Sequence, residues 1–311
     1  MKEFKHYTVM KNEAVNALNC QDGLIYVDCT LGGGGHSELI LKRIQPNGRL
    51  ISFDVDQDAI DAATERLKNY KNLTIVKNSY TNIKQVFKDL GIEKITGGIL
   101  FDLGASYHQL TKQERGFSFS KEAPLDMRFN MDSDFSAYDV VNNYKEEELV
   151  KIFSEYGEER FSKRIAKAIV QKRQAKPIQT TTELADIIVE ATPKIKSSIH
   201  PATRVFQAIR IEVNHELQNV KNTLTDVLDL LDFNAIISVI SFHSLEDRVV
   251  KHVFKYYSTR CHCEKNQMIC NCPPPILELV NKKPIMATEQ EIKENPPSRS
   301  AKLRVAKCIR R

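Results

Sequence analysis

The chain has 311 residues, which exceeds one ordinary domain and predicts one large fold with an insertion or a second unit. Hydrophobic residues make up 41% and charged residues 27%, and no apolar run approaches the ~18 residues of a spanning helix, which excludes membrane and disordered proteins. The net charge of +5 is too small to prove a nucleic-acid partner. The start of the chain lacks the apolar centre of a secretory signal, so we expect a cytosolic protein.

The first hundred residues alternate short β-branched runs with helical patterns, which is typical of parallel βαβ units. Strands are predicted over 25–29, 49–54, 73–77 and 98–102, and helices over 36–43, 58–68 and 82–90. The alternation predicts a doubly wound α/β half-sheet.

The strand signal then disappears, and charged helical windows replace it over 145–156, 161–174 and 182–191. A long helical pattern over 202–231 leads to a buried strand over 235–242, and edge or antiparallel strands are expected over 276–280 and 303–309. We therefore predict a discontinuous sheet domain, 1–108 with 206–311, and an inserted helical subdomain, 109–205.

Four glycines at 32–35 follow the first predicted strand and directly precede a helix. Glycine allows a sharp turn and leaves room for a ligand against the backbone amides, at the positive end of the next helix. The run lies at the carboxyl end of strand one, where open α/β sheets bind ligands. We predict a ligand-binding loop, with a flexible turn as the alternative.

The glycine spacing argues against a dinucleotide. The G-x-G-x-x-G fingerprint needs a third glycine where Ser37 or Glu38 stands. Asp54 ends the second predicted strand, where a carboxylate can accept hydrogen bonds from both ribose hydroxyls. An adenosine without a pyrophosphate fits these facts, so S-adenosylmethionine is the predicted cofactor. The alternative for Asp54 is a surface acid at a strand end.

Asp102 closes the fourth predicted strand after a mostly apolar run. An acid there is costly to bury unless it is hydrogen-bonded or functional, so Asp102 is the first catalytic candidate, and capping of the following loop is the alternative. His243 follows the fifth predicted strand and is a candidate substrate contact. The alternative for this stretch is a helix N-terminus with Ser244 as the cap and two acids, Glu246 and Asp247, in its first turn.

Six segments occur in one order: GGGGHS at 32–37, DLGAS at 102–106, RGFSF at 115–119, PLDMR at 124–128, SFHSLEDR at 241–248 and NPPSRSAKLR at 295–304. Together they resemble the bacterial ribosomal RNA small-subunit methyltransferase H family over almost the whole chain. The resemblance implies a class I (Rossmann-like) S-adenosylmethionine-dependent methyltransferase sheet with a helical insertion. It also implies methylation of the exocyclic N4 amine of one cytidine in the decoding centre of 16S rRNA.

Carried onto matching positions, the resemblance implies cofactor contacts at Gly34, Gly35, His36, Asp54, Tyr80, Asp102 and Gln109. Tyr80 stands where many relatives have phenylalanine, a mild change for a stacking role. Tyr107-His108 replaces the usual serine and proline, which removes a rigid φ angle before Gln109.

Four of the seven cysteines form two C-x-C pairs, at 261 and 263 and at 270 and 272. Four thiols so close together make tetrathiolate zinc chemically reasonable. The common zinc pattern is C-x-x-C, however, and the family resemblance requires no metal. We predict no metal ligand and keep structural zinc as the less favoured alternative.

Basic residues concentrate in two segments. Residues 158–176 contain seven basic and two acidic side chains, and residues 299–311 contain six basic and none acidic. In the first segment an apolar stripe leaves Arg160, Lys163, Arg164 and Lys167 mostly on the other face. Such a face is usually only solvated, and contact with RNA phosphates is the functional hypothesis for both segments.

Three alternatives to the cytidine methyltransferase remain open from the residues alone. The first is a methyltransferase of the same fold acting on another RNA or amine. The others are a non-catalytic RNA-binding protein and a nucleotide-dependent oxidoreductase, the last disfavoured by the incomplete glycine fingerprint. The sequence gives no indication of the oligomeric state.

Overall fold

The computed structural model describes residues 8–104, 112–193, 199–263 and 270–311. The chain divides into two units: Met1–Gly104 with Leu217–Arg311, called here the sheet unit, and Ala105–Glu216, called here the helical unit. None of the described helices is long and apolar enough to cross a membrane.

The described helices, numbered in chain order, are α1 (Lys11–Ala17), α2 (Gly35–Arg43), α3 (Gln57–Leu67), α4 (Ile83–Asp89), α5 (Ala137–Asn143), α6 (Glu146–Glu155), α7 (Ser162–Ala175), α8 (Thr181–Ala191), α9 (Ala202–Val213), α10 (Glu216–Asp226), α11 (Ser244–Ser258) and α12 (Glu289–Glu294). The described strands are β1 (Ile25–Asp28), β2 (Arg49–Asp54), β3 (Leu73–Lys77), β4 (Gly98–Asp102), β5 (Ile236–Ser241), β6 (Leu277–Leu279), β7 (Ile285–Met286) and β8 (Lys302–Cys308).

The strands form one sheet in the order β3-β2-β1-β4-β5-β8-β6, and β7 also pairs with β8. Strands β1 to β5 run parallel, whereas β8 is antiparallel to β5, β6 and β7. The order reverses between β1 and β4, so the connections that follow these two strands lead to opposite sides of the sheet, to β2 and to β5. Such a switch point opens a crevice at the carboxyl ends of the parallel strands.

Side chains alternate between the two faces of the sheet because successive Cβ atoms of a strand point in opposite directions. On β1, Tyr26 belongs to one buried cluster and Val27 to the other, and on β2 Leu50 and Ile51 alternate in the same way. Both faces are therefore covered by apolar groups, as expected for a parallel sheet whose strands read as nearly continuous hydrophobic runs.

The helical unit has its own buried core, to which α5 to α9 each contribute. Helix α7 shows why these helices form. Its buried Ile165, Ala166 and Ile169 recur at helical spacing, and its charged residues occupy the remaining positions.

Most of the predicted elements are confirmed, and their ends agree with the structure to within one residue. The long helix predicted over 202–231 is wrong, because it is broken between α9 and α10. There Asn214 leaves the helical conformation and His215 takes a φ of +49°. Histidine and asparagine tolerate these non-helical angles better than most residues.

The unit boundary also differs from the predicted one, which placed residue 206 in the sheet domain. Helix α9 buries Val205, Phe206 and Ile209 in the core of the helical unit. The helical unit therefore includes α9 and ends at Glu216. The sequence showed its amphipathic pattern but not which core its apolar face covers.

Candidate functional site

The glycine loop turns directly from β1 into α2. Gly34 is the residue before the helix, with a φ of +75°, and a Cβ there would lie 3.1 Å from Leu67. At Gly35 a Cβ would lie 1.7 Å from the hydroxyl oxygen of Thr8. Gly34 therefore supplies a left-handed conformation, and Gly35 permits the close approach of another chain segment.

Asp54, at the end of β2, holds this loop. Its Oδ2 accepts a hydrogen bond from the amide of Gly32 at 2.8 Å, and its Oδ1 accepts one from the amide of Asp56 at 2.9 Å. Burial raises the pKa of Asp54, although these amide bonds oppose the shift. The carboxylate predicted to bind ribose thus lies directly beside the glycine loop.

Asp28, at the end of β1, is an acid to which the sequence analysis assigned no role. Its side chain is fully buried and accepts hydrogen bonds from the hydroxyl of Ser37 at 2.7 Å and the amide of Thr30 at 3.1 Å. Burial raises the pKa of Asp28 to about 6, and the charge of Asp54 acts in the same direction. The signal was available, because an acid closes the apolar run of β1 just as Asp54 and Asp102 close theirs.

Asp102, at the end of β4, is fixed through its backbone amide, which donates to the hydroxyl of Thr30 at 2.7 Å. Its Oδ1 is buried and has no hydrogen-bond partner among the described residues. Burial, followed by the charges of Asp28 and Glu246, raises the pKa of Asp102 well above its usual range. A carboxylate oxygen left without a donor in such a place is suited to a ligand.

His36, in the first turn of α2, is buried beside Asp102. Its Nε2 donates to the carbonyl of Val9 at 3.1 Å, and its Nδ1 lies 3.6 Å from Oδ2 of Asp102. Because Nε2 donates to a carbonyl, it carries a proton. Nδ1 of His36 and Oδ2 of Asp102 therefore attract each other only when a second proton lies on Nδ1 or on the carboxyl group. The contact with Val9 was not foreseen, because nothing in the local pattern links the start of the chain to this loop.

Tyr80 follows β3 and packs edge-on against Phe101 of β4, with ring centroids 5.7 Å apart. Its ring is partly buried and packs against the buried apolar cluster that contains Phe101. Gln109, with Tyr107 and His108, lies outside the described residues.

His243 directly precedes α11 and caps it. Its Nδ1 accepts a hydrogen bond from the amide of Glu246 at 3.4 Å, and its Nε2 lies 3.2 Å from Oε1 of the same residue. The buried carboxylate of Glu246 in turn accepts from the amides of Phe242 and His243, which completes a capping box. The predicted cap, Ser244, is wrong, whereas Glu246 and Asp247 do occupy the first turn.

Asp247 is held by two hydrogen bonds from the guanidinium of Arg304, at 2.6 and 3.1 Å. Partial burial would raise the pKa of Asp247, but these bonds and the charge of Arg304 lower it. This pair joins α11 to β8 within the sheet unit. Its role is structural.

The site therefore combines a glycine loop with a row of carboxylates. The charge of Asp54 raises the pKa of Asp28. The charges of Asp28 and Glu246 raise the pKa of Asp102. Like charges held this close destabilise one another, and a bound cation would relieve the repulsion. The strand ends are thus suited to a ligand with positive charge.

The two basic segments differ in what they contact. Arg160, two residues before α7, is exposed, as are Lys163, Arg164 and Lys167 on the helix, in agreement with the predicted stripe. In the terminal segment five side chains have partners in the sheet unit: Lys302 and Arg304 with Asp247, Lys307 with Glu278, Arg310 with Asp229 and the carbonyl of Leu228, and Arg311 over the ring of Phe233. The terminal charges are largely used within the protein.

Two of the recognised motifs build the helical unit. Arg115 is buried and donates to the carbonyls of Arg128 and Phe129 at 2.9 and 3.0 Å. A Cβ at Gly116 would lie 2.2 Å from the carbonyl oxygen of Pro124. The segments RGFSF and PLDMR therefore pack on each other, and the residues just named serve that packing.

Comparison with known proteins decides the family. The sequence model of the MraW methylase family matches residues 3–309. The chain belongs to this family. Three relatives are each named ribosomal RNA small subunit methyltransferase H. That of Clostridium botulinum is 50% identical over 99% of this chain, that of Caldicellulosiruptor bescii 51% over 98%, and that of Clostridioides difficile 47% over 99%, and each of the three is covered over its full length.

Membership makes the chain a methyltransferase that takes its methyl group from S-adenosylmethionine. The predicted α/β fold of Rossmann-like class I is confirmed. The residues present fit this cofactor: the glycine loop leaves room at a helix N-terminus, and Asp54 lies beside it. Oδ1 of Asp102 is buried without a hydrogen-bond partner among the described residues, and other acids raise the pKa of this carboxyl group. A sulfonium with an ammonium group supplies the positive charge that these acids lack.

Proposed function

We propose that this methyltransferase acts on the RNA of the small ribosomal subunit, in the cytoplasm, and transfers the methyl group to the exocyclic N4 amine of a cytidine in the decoding centre of 16S rRNA. The observation that carries the proposal is the row of carboxylates at the strand ends beside the glycine loop. The substrate follows from the relatives, whose names specify small-subunit ribosomal RNA.

In this proposal most residues of the site bind the cofactor. Gly34, Gly35 and His36 hold the amino-acid end of the cofactor, Asp54 accepts hydrogen bonds from its ribose, and Tyr80 flanks its adenine. Gln109 is proposed to contact it as well. S-adenosylmethionine supplies an electrophilic methyl group on a positively charged sulfur.

Asp102 is the proposed catalytic residue. The amino nitrogen of cytosine donates its lone pair to the ring, so it becomes a nucleophile only when an acceptor engages its hydrogens. The Oδ1 of Asp102 is buried and free to accept such a bond. The positive charge of the cofactor lowers the pKa of this carboxyl group and keeps it in the accepting form. The amine is thereby oriented for in-line attack.

His243 is the second proposed substrate contact. Its imidazole caps α11 through Nδ1, so replacement by alanine would disturb the helix as well as any contact. Asparagine also caps helices well, and His243→Asn therefore separates the two roles. We expect this variant to keep its thermal stability and its cofactor affinity but to turn over more slowly. Unchanged turnover would assign His243 to capping alone.

The exposed basic face beginning at Arg160 and continuing along α7 with Lys163, Arg164 and Lys167 is the proposed contact for RNA phosphates. Lysine and arginine there can release counterions from the nucleic acid without reading its sequence. The terminal segment is left out of this proposal because most of its charges already have partners in the sheet unit.

The test is methyl transfer to small subunits isolated from cells that lack this protein. We expect one methyl group per 16S rRNA, located on a cytidine base by mass spectrometry of RNA fragments, with none added to subunits from cells that contain the protein. Methylation of another base, or of a subunit protein, would contradict the proposed substrate. The variant Asp102→Asn should bind the cofactor and lose most turnover, and full turnover would remove Asp102 from the chemistry.

A further inference from the structure

The four cysteines of the two C-x-C pairs come together on the surface of the sheet unit, between α11 and β6. Their sulfur atoms, on Cys261, Cys263, Cys270 and Cys272, all lie within 4.8 Å of one another. The methyltransferase site does not use them. We propose that these four thiolates bind one zinc ion.

The sulfur distances match a tetrahedral metal site. Sγ of Cys263 lies 3.6 Å from Sγ of Cys272, and Sγ of Cys270 lies 3.7 Å from Sγ of Cys261. Four sulfurs at the usual zinc distance of about 2.3 Å are separated by roughly 3.8 Å along each edge of the tetrahedron. A disulfide would require about 2.05 Å, so neither pair is bonded.

The objection to the C-x-C spacing is also met. Each close pair joins one cysteine of the first C-x-C to one of the second. All four sulfur atoms, including the two of each C-x-C, lie within 4.8 Å of one another, so both arms can reach one ion. The backbone helps through two amides: His262 donates to Sγ of Cys272 at 3.1 Å, and Cys263 donates to Sγ of Cys261 at 3.5 Å. Amide donors of this kind stabilise thiolate ligands.

Apolar burial does not account for the cluster. Every described residue from 259 to 263 and from 270 to 276 is exposed or partly exposed. Thiols at the surface gain little from contact with each other, whereas coordination of a metal would contribute the energy that holds the two pairs together. Binding would release the thiol protons to solvent as the four Zn–S bonds form.

The site would fix the connection between α11 and the edge of the sheet. The ring of His262, between the first two cysteines, stacks on Tyr256 near the end of α11 at a centroid distance of 4.3 Å. The amide of Ile276, four residues after Cys272, donates to the carbonyl of Tyr257 at 2.9 Å. Zinc suits such a closed site of four sulfurs, because it needs no open position and has no redox chemistry.

The first experiment measures the metal content of full-length protein purified under reducing conditions without chelator. We expect one zinc per chain by elemental analysis and by native mass spectrometry, and none in the variant Cys261→Ser/Cys263→Ser. The matched control Cys20→Ser, which changes a thiol away from the cluster, should keep one zinc. Wild-type protein that takes up no zinc, zinc retained by the double variant, or iron in place of zinc would overturn the proposal.

A second measurement uses only the wild-type chain, so it does not depend on how the variant folds. Replacing the metal with Co²⁺ should give the intense visible bands of a tetrahedral site and the near-ultraviolet charge transfer of thiolate ligands. Weak absorption typical of octahedral cobalt would contradict four sulfur ligands. A native mass lower by four hydrogens, with no free thiol in the cluster, would show two disulfides and would equally overturn it. Neither result bears on the methyltransferase proposal.

Discussion

The strand ends of the sheet unit and helix α7 of the helical unit carry opposite charge. At the strand ends Asp28 is fully buried, and Asp54 and Asp102 are partly buried. Burial and the charges of neighbouring acids raise the pKa of both Asp28 and Asp102. On α7 the charged groups are exposed and separated by helical spacing. The first arrangement can select one small cation by geometry, whereas the second can attract a polyanion without fixing its position.

The largest effect is expected from Asp54→Ala at the strand ends. The variant removes the acceptor proposed for both ribose hydroxyls and also releases the amides of Gly32 and Asp56. Two hydrogen bonds to a charged group contribute about 3 kcal/mol or more, so calorimetry should show S-adenosylmethionine affinity reduced by at least about 100-fold. The control Asp61→Ala removes an exposed acid from α3 and should bind normally. An unchanged affinity in Asp54→Ala would show that Asp54 does not bind the cofactor.

Removing the positive charges of α7 should weaken RNA binding and leave the affinity for the cofactor unchanged. For Lys163→Gln/Arg164→Gln/Lys167→Gln, the slope of the logarithm of RNA affinity against the logarithm of salt concentration should flatten by about two. Filter binding with small-subunit RNA measures this slope. The control variant Lys302→Gln/Lys307→Gln on β8, which removes two charges, should leave this slope unchanged, because both lysines already face acids. Equal slopes in the two variants would remove the distinction between the basic segments.

The affinity for the cofactor should depend on pH through the protonation of Asp102 at the strand ends. Burial and neighbouring acids raise the pKa of Asp102, so the free protein keeps this carboxyl group protonated to a higher pH than an ordinary aspartate, and a cation binds best to the deprotonated form. Affinity for S-adenosylmethionine should therefore rise with pH, by up to about tenfold per unit below that pKa. S-adenosylhomocysteine, which lacks the sulfonium charge, should show a shallower rise. A fall in affinity as pH increases would contradict this account.

The final expected effect concerns Asp28 and the stability of the fold. Its pKa of about 6 in the folded chain, against 3.8 without the fold, means that the folded state binds the proton more tightly. Its contribution to the free energy of unfolding is therefore lost as pH rises from about 4 to 6, by up to about 3 kcal/mol. Urea unfolding of Asp28→Asn should show stability that improves relative to wild type across this window. The exposed control Asp61→Asn should show no such trend. A stability of Asp28→Asn that stays parallel to that of wild type across this window would contradict the pKa that burial raises at Asp28.

Local pattern predicted most of the elements and the edge of the sheet where the candidate site lies. β-branched runs and the glycines beside them identified β1, β2 and β4. The acids at the ends of β2 and β4 indicated the candidate site, because the carboxyl ends of parallel strands lie on one edge of the sheet. Asp28 was overlooked although it stands in the same position as Asp54 and Asp102.

Long-range contacts could not be predicted in this way. Val9 accepts from His36, and the amide of Met10 donates to Glu291, which lies 281 positions away. Neither contact leaves a periodic trace in the sequence. The partners of the terminal basic segment were missed for the same reason, because charge alone does not distinguish an arginine that binds Asp247 from one that faces solvent.

The central claim is that the carboxylates at the strand ends select a sulfonium donor. The most direct measurement is a calorimetric comparison of S-adenosylmethionine, S-adenosylhomocysteine and NAD on the wild-type chain and on Asp102→Asn. The account predicts that the first two bind and NAD does not, and that the preference for the positively charged ligand shrinks in the variant. Tight binding of NAD with no heat from S-adenosylmethionine, or a preference that the variant leaves unchanged, would contradict it.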